Sequence, residues 1–138
     1  MNDFVPVGTF AAGGKAMYVV PKDTFVLTVV RVGTGGNTDD GKYFYGFKPD
    51  IVMARKASYI NFVLSPDTSE GIRIAAVVDS ADHGQMDRAE VEPDGLSARM
   101  YDNMIKPALI NVAVLVSDDH NPEDKYIMCD PQVINVPD

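Results

Sequence analysis

Apolar residues in this chain recur mostly at every second position, in short runs cut by Gly, Pro, Asn and Asp. That is the signature of half-buried strands joined by turns. The run Thr24–Val32 is rich in β-branched residues and is followed by "GTGGNTDDG", whose Gly, Asn and Asp supply the positive-φ positions a loop needs. Lys42–Phe47 and Ser58–Ser65 read as strands, and so does Gly71–Ser80, with Ile72, Ile74 and Ala76 on one face. Ala16–Val20 is a further short run that stops at Pro21. "EPDG" (Glu92–Gly95) has Pro and Gly where a tight turn wants them, and Leu96, Ala98 and Met100 share one face of the strand after it. Ala108–Ser117 is the most apolar stretch. Pro49–Ser58 fits either two helical turns, with Asp50 early and Arg55 and Lys56 late, or a strand. The pattern predicts one all-β domain over residues 1–138, an antiparallel sandwich of immunoglobulin-like or jelly-roll-like type with little helix.

The last run also alternates. Tyr126, Met128, Asp130, Gln132 and Ile134 fall on one face; Ile127, Cys129, Pro131, Val133 and Asn135 fall on the other. Antiparallel pairing with Ala108–Ser117 is expected, across the "DDHNPED" loop. An Asp-Pro dipeptide inside such a strand is unusual, because proline has no N–H for a ladder. One reading is a β-bulge that bends an edge strand. The other is chemical. The Asp130 carboxyl can attack its own backbone carbonyl, closing a five-membered ring and expelling the proline nitrogen. A fold speeds such a step by fixing geometry and by burying the acid, and a second carboxylate can position water. Asp102, in "MYDN", is the candidate for that second group, since its strand is a plausible neighbour of the last one.

"CDPQVINVPD" (Cys129–Asp138) resembles the C-terminal signature of the bacterial DP-EP family, in which Asp-Pro-Gln-Val-Ile-Asn is followed by an acidic residue and Pro; here Val136 stands at the acidic position. The resemblance implies a compact β-sandwich that cuts itself at Asp-Pro by an aspartic-peptidase-like mechanism. Carried over by position, the scissile bond is Asp130–Pro131, with Pro131 as leaving group and an eight-residue tail, Pro131–Asp138. It also implies capture of the activated Asp by a lysine amine, for which Lys106 or Lys125 would serve. The rival expectation is a non-enzymatic structural or binding module of phage or cell-envelope origin, assembling through sheet edges or the Tyr43–Phe47 face.

Composition narrows the remaining chemistry. The protein has 138 residues and a net charge of −8, which disfavours nucleic acid and anionic membranes. The N-terminus shows no basic-then-apolar leader, and a single cysteine, Cys129, fits a reducing compartment, so a cytoplasmic protein is expected. Acidic loops holding Asp79, Asp82, His83 and Asp87, or Asp118, Asp119 and Asp124, offer oxygen ligands, but neither has EF-hand spacing. No metal or other cofactor is expected. Tyr43, Tyr45 and Phe47 would share one sheet face, either as a stacking surface or as core. No P-loop or nucleophile-elbow motif is present.

Overall fold

The computed structural model describes residues 10–12, 15–17, 23–81, 84–123 and 126–137, and among these there is no helix. Twelve strands form: β1 (Phe10–Ala12), β2 (Lys15–Met17), β3 (Thr24–Arg31), β4 (Tyr43–Lys48), β5 (Ile51–Ala54), β6 (Ser58–Leu64), β7 (Ile72–Asp79), β8 (Glu90–Val91), β9 (Ser97–Asp102), β10 (Ala108–Asp118), β11 (Ile127–Cys129) and β12 (Gln132–Asn135). β1 and β2 form a two-stranded hairpin; of the expected strand Ala16–Val20, the part after Met17 lies outside the described residues. Pro49–Ser58 resolves to the strand alternative, β5.

The other strands make two sheets. The first has the order β4-β3-β6-β9-β8, and the second runs β11-β10-β12-β5 with β7 also on β10. Most pairs are antiparallel, as expected, but β3–β6 and β5–β12 are parallel, so both sheets are mixed. The inner faces share one core. Phe25, Leu27, Ile60, Phe62 and Met100 come from the first sheet, and Ile110, Val112, Val114, Val116 and Val133 from the second. Phe25 stacks on Phe62 with centroids 5.4 Å apart. The result is an all-β sandwich.

Two departures from strict alternation have a visible cause. In β7 the buried residues are Ile72, Ile74 and Val77, and Ala76 is only half-buried. The β7–β10 register shifts between Leu115 and Val116, so one extra residue in β7 moves the inward position by one. In β9, Ala98 and Met100 face the core as expected, while Leu96 lies before the strand and is exposed.

No such shift occurs at the Asp-Pro. Val114 pairs with Cys129 and Asn111 with Gln132, so the antiparallel register is the same on both sides of the dipeptide. Alternation also holds: Ile127, Cys129, Pro131, Val133 and Asn135 are buried, and Met128 and Asp130 are exposed. The β-bulge reading of Asp-Pro is therefore overturned. The Val112 N–H donates to Pro131 C=O (3.1 Å), the bond an antiparallel pair makes at that position. Its reciprocal is missing because the proline nitrogen has no hydrogen. One ladder bond is lost, and the register continues unchanged from β11 to β12.

Candidate functional site

Asp130 is exposed on the outer face of the second sheet, and Pro131 is buried on the inner face. The Asp130 N–H donates a long hydrogen bond (3.4 Å) to Tyr45 Oη, from the edge strand of the other sheet. Asp130 borders a cleft of about 300 Å³ whose lining includes Asp39, Asp40, Tyr45 and Tyr126. Because Asp130 is open to water, burial is not the device that would activate its carboxyl. Cys129 beside it is fully buried; desolvation, and then the charge of Asp130, push its thiol up to about 12. A thiol in that state is not a nucleophile near neutral pH.

The other candidates lie elsewhere. Asp102 is fully buried and accepts from the Met104 N–H and from Asn135 Nδ2, both at 2.9 Å. Asn135 is five residues beyond Asp130, about 16 Å of extended backbone. Asp102 thus meets the last strand from across the sandwich, at the end away from the Asp-Pro; its own strand, β9, pairs β6 and β8 and is not the expected sheet neighbour. Lys106 is in the exposed loop before β10, and its C=O accepts from Gln85 Nε2 (3.2 Å). The register places Pro131 level with Val112, so Lys106 lies about 20 Å away along the strand. Lys125 is outside the described residues. Of the four candidates among the described residues, only Asp130 and Pro131 are brought together, as sequence neighbours.

The loop carboxylates are already engaged. Asp79 Oδ1 accepts from the Ala81 N–H (2.9 Å), and Asp87 Oδ1 from Asn103 Nδ2 (2.9 Å). Asp82, His83 and Asp124 lie outside the described residues. Among the described residues no group of three His, Cys, Asp or Glu side chains is arranged to hold a metal ion.

Asp118 has a different role from the one its loop suggested. It is the last residue of β10 and 2% exposed. Arg31 grips it from the other sheet through Nε and Nη2, each at 2.7 Å. Tyr43 Oη donates to it at 2.7 Å, the His120 N–H at 2.9 Å and Asn121 Nδ2 at 3.1 Å. The Arg31 guanidinium above all, then Tyr43 and the other donors, hold this carboxyl well below the usual carboxylate range despite its burial. Gly71 completes the cluster: its C=O accepts from the Asp119 N–H, its φ is +87°, and a Cβ there would come within 2.8 Å of the His120 ring. Sequence reading missed this cluster because Arg31 and Asp118 are 87 residues apart.

The Tyr43–Phe47 run shows why the stacking face fails. Tyr43 is fully buried on Asp118, and Tyr45 and Phe47 pack against the core. These three rings are core, and Phe44 is the aromatic on the outer face.

The sheet edges differ sharply. On β4 the Asn37 amide imitates a strand: Nδ2 donates to Tyr45 C=O and Oδ1 accepts from the Tyr45 N–H, both at 2.8 Å. On β7 the Ile74 N–H donates to Gly95 C=O of the Glu92–Gly95 turn (2.7 Å). β8 is two residues long and carries Glu90, which is bonded to Arg99. These are ways of blunting an edge. β5 is different. The Gln132 N–H donates to Asp50 C=O and the Val136 N–H to Ala54 C=O, so Asp50, Val52 and Ala54 turn their backbone toward β12. By alternation Ile51 and Met53 turn theirs outward, where no described residue receives them. Their side chains are 43% and 50% exposed. Across the sheet, Met53 is level with Ile134 and Ile134 with Leu109, itself 57% exposed, so an apolar row runs back from this edge.

No family model matches this sequence, and no curated protein matches it. Among the described residues no helix is long and apolar enough to cross a membrane.

Proposed function

We propose that this protein is a non-enzymatic β-sandwich module that assembles with a second copy of itself through β5. The observation that carries this reading is the open, apolar edge of β5 beside edges that the fold has capped. An antiparallel pairing about a two-fold axis at Met53 joins two second sheets into one. It brings Asp50 of one copy and Lys56 of the other, each just outside β5, to the same end of the seam, twice, where their opposite charges favour the pairing. The apolar row Met53–Ile134–Leu109 then continues across the seam. This local match is set against the overall charge of −8, which opposes association at low salt.

Met53→Pro tests the pairing. Its N–H faces away from β12, so proline removes an edge donor without breaking the β5–β12 ladder. In analytical ultracentrifugation the wild type is expected to dimerise as concentration rises, and Met53→Pro to stay monomeric with an unchanged far-ultraviolet spectrum. A wild type that remains monomeric at high concentration and moderate salt overturns the proposal.

A second reading is favoured by the Asp130–Pro131 geometry: self-cleavage in cis. The peptide is held in a fixed register, and the attacking carboxyl is free of packing on the outer face. An Asp130 carboxylate oxygen would bond to its own backbone carbonyl carbon. The C–N bond to Pro131 would break, the proline nitrogen would gain a proton, and water would open the anhydride. The released segment includes buried Val133 and Asn135, so it would stay in the sheet after cutting. Denaturing mass spectrometry of folded protein held at mildly acidic pH separates the readings. Loss of the Pro131–Asp138 peptide supports cleavage, and an intact protein after weeks rejects it.

A further inference from the structure

Among the described residues, Asp102 and Asn135 leave two polar atoms without partners. Both residues are buried, at 0% and 1% exposure, and they face each other across the two sheets from β9 and β12. One hydrogen bond joins them, from Asn135 Nδ2 to Asp102 Oδ1. The Met104 N–H also donates to Oδ1. Asp102 Oδ2 and Asn135 Oδ1 have no partner among the described residues. Two acceptor oxygens, both buried and both orphaned, belong to two groups that are already bonded to each other. Leaving one buried polar atom unsatisfied costs about 1–3 kcal/mol, so two together are a large penalty.

One proton removes both. We propose that Asp102 is a neutral carboxylic acid in the folded protein, whose Oδ2–H donates to Asn135 Oδ1 and closes a reciprocal acid–amide pair that clasps the C-terminal strand to the opposite sheet. Each group then donates once and accepts once within the pair. The surroundings agree. Burial favours the uncharged form, and the nearby Asp23 charge adds to it; together they outweigh the two donors on Oδ1, so the carboxyl is raised above its usual range. Of the elements packed around it, β6 presents Ser58 opposite Asp102, with its Oγ bonded to Asp23, and the preceding loop presents Met86. Among the described residues, the groups that act on the Asp102 carboxyl are Met104, Asn135 and Asp23, none of them a cation. Asp87 is turned to Asn103.

The consequence is a proton-dependent tie at the strand that carries β5. β12 lies between β10 and β5, so the assembly edge hangs on a strand whose far end is fixed by Asp102. This inference does not depend on assembly; it stands on the monomer. The sign follows from linkage. The folded state keeps the proton where the unfolded protein has lost it. The stabilisation is therefore complete below the ordinary carboxylate pKa and fades as pH rises to the folded value. Across that window the unfolding constant of the wild type should rise by about tenfold per pH unit from this group.

Asp102→Asn is the test, because an amide is a permanent copy of the neutral acid and can keep both hydrogen bonds. Urea unfolding of wild type and Asp102→Asn from acid to neutral pH should show the two unfolding constants diverging, with the variant lacking the wild type's rise. Hydrogen exchange compared at one neutral pH should show Val133–Asn135 and Ile51–Ala54 at least as protected in Asp102→Asn. Asp102→Ala, which cannot pair, should expose the same amides. Parallel pH curves for wild type and Asp102→Asn overturn the proposal, as does a water-bridged carboxylate, which would appear as Asp102→Asn being destabilised at neutral pH.

Discussion

Two buried carboxylates clasp this sandwich at its opposite ends, and they reach opposite electrostatic states. Asp118 ties β10 to β3 and β4; Asp102 ties β9 to β12. Both are essentially inaccessible to water. Asp118 receives two guanidinium bonds, a phenol, a backbone N–H and an amide, spread over both oxygens. Among the described residues, Asp102 receives two donors on one oxygen and none on the other. Burial alone would raise both. The comparison shows that the number and charge of the donors decide, and that a deficit of donors leaves room for a proton.

The comparison breaks most visibly at Asp118. Asp118→Ala takes the carboxylate from Arg31, leaving its mostly covered guanidinium the Glu70 C=O, and removes the carboxylate to which Tyr43 Oη donates. Removing one partner of a buried pair costs about 3–5 kcal/mol, and urea unfolding at neutral pH should show a loss of that size. A loss below about 1 kcal/mol would mean that the cluster is no better than a surface pair. The pH dependence has the sign opposite to that of Asp102. The folded Asp118 carboxyl is depressed, so its contribution is present above the unfolded value of about 3.9 and is lost as pH falls through the folded value. The gap between wild type and Asp118→Ala should therefore close in acid, below the window in which Asp102 acts.

A smaller effect sharpens the same contrast. Tyr43→Phe keeps the ring in the core and removes one of five donors from Asp118. Hydrogen bonds to charged groups are worth about 1.5–3 kcal/mol, and with four donors remaining the loss should fall at or below the low end, measured by the same unfolding experiment. If Tyr43→Phe costs as much as Asp118→Ala, the phenol, and not Arg31, is the main prop.

Much of this architecture is legible in the sequence, and the failures have physical reasons. The alternation of Tyr126–Asn135 holds through the Asp-Pro because a missing N–H costs one ladder bond without changing the pleat. The choice of Ala76 as an inward residue fails because a bulge adds a residue without leaving a mark in the pattern. The parallel pairs β3–β6 and β5–β12 are hidden because no local signal says which strands become neighbours. Asp118 looks in sequence like a loop acid beside Asp119, yet its parity with Ile110, Val112, Val114 and Val116 points it inward. Asp102 has the same parity with Ala98 and Met100. A carboxylate in phase with a buried stripe is the signal that finds both clasps. Their partners, Arg31 and Asn135, come from distant segments and are not legible. The self-cleavage expectation rests on ten residues whose chemistry is local, while the second acid and the lysine it needs depend on tertiary placement.

These two buried carboxyls hold opposite protonation states in one fold. Carbon-13 NMR of the aspartate carboxyls, followed across acid to neutral pH in folded protein and assigned with Asp102→Asn and Asp118→Asn, reads it directly. Asp118 should keep an ionised shift well below pH of about 3.9, and Asp102 should keep a protonated shift above it. If both carboxyls titrate together near that value, donor number does not separate them and the account fails.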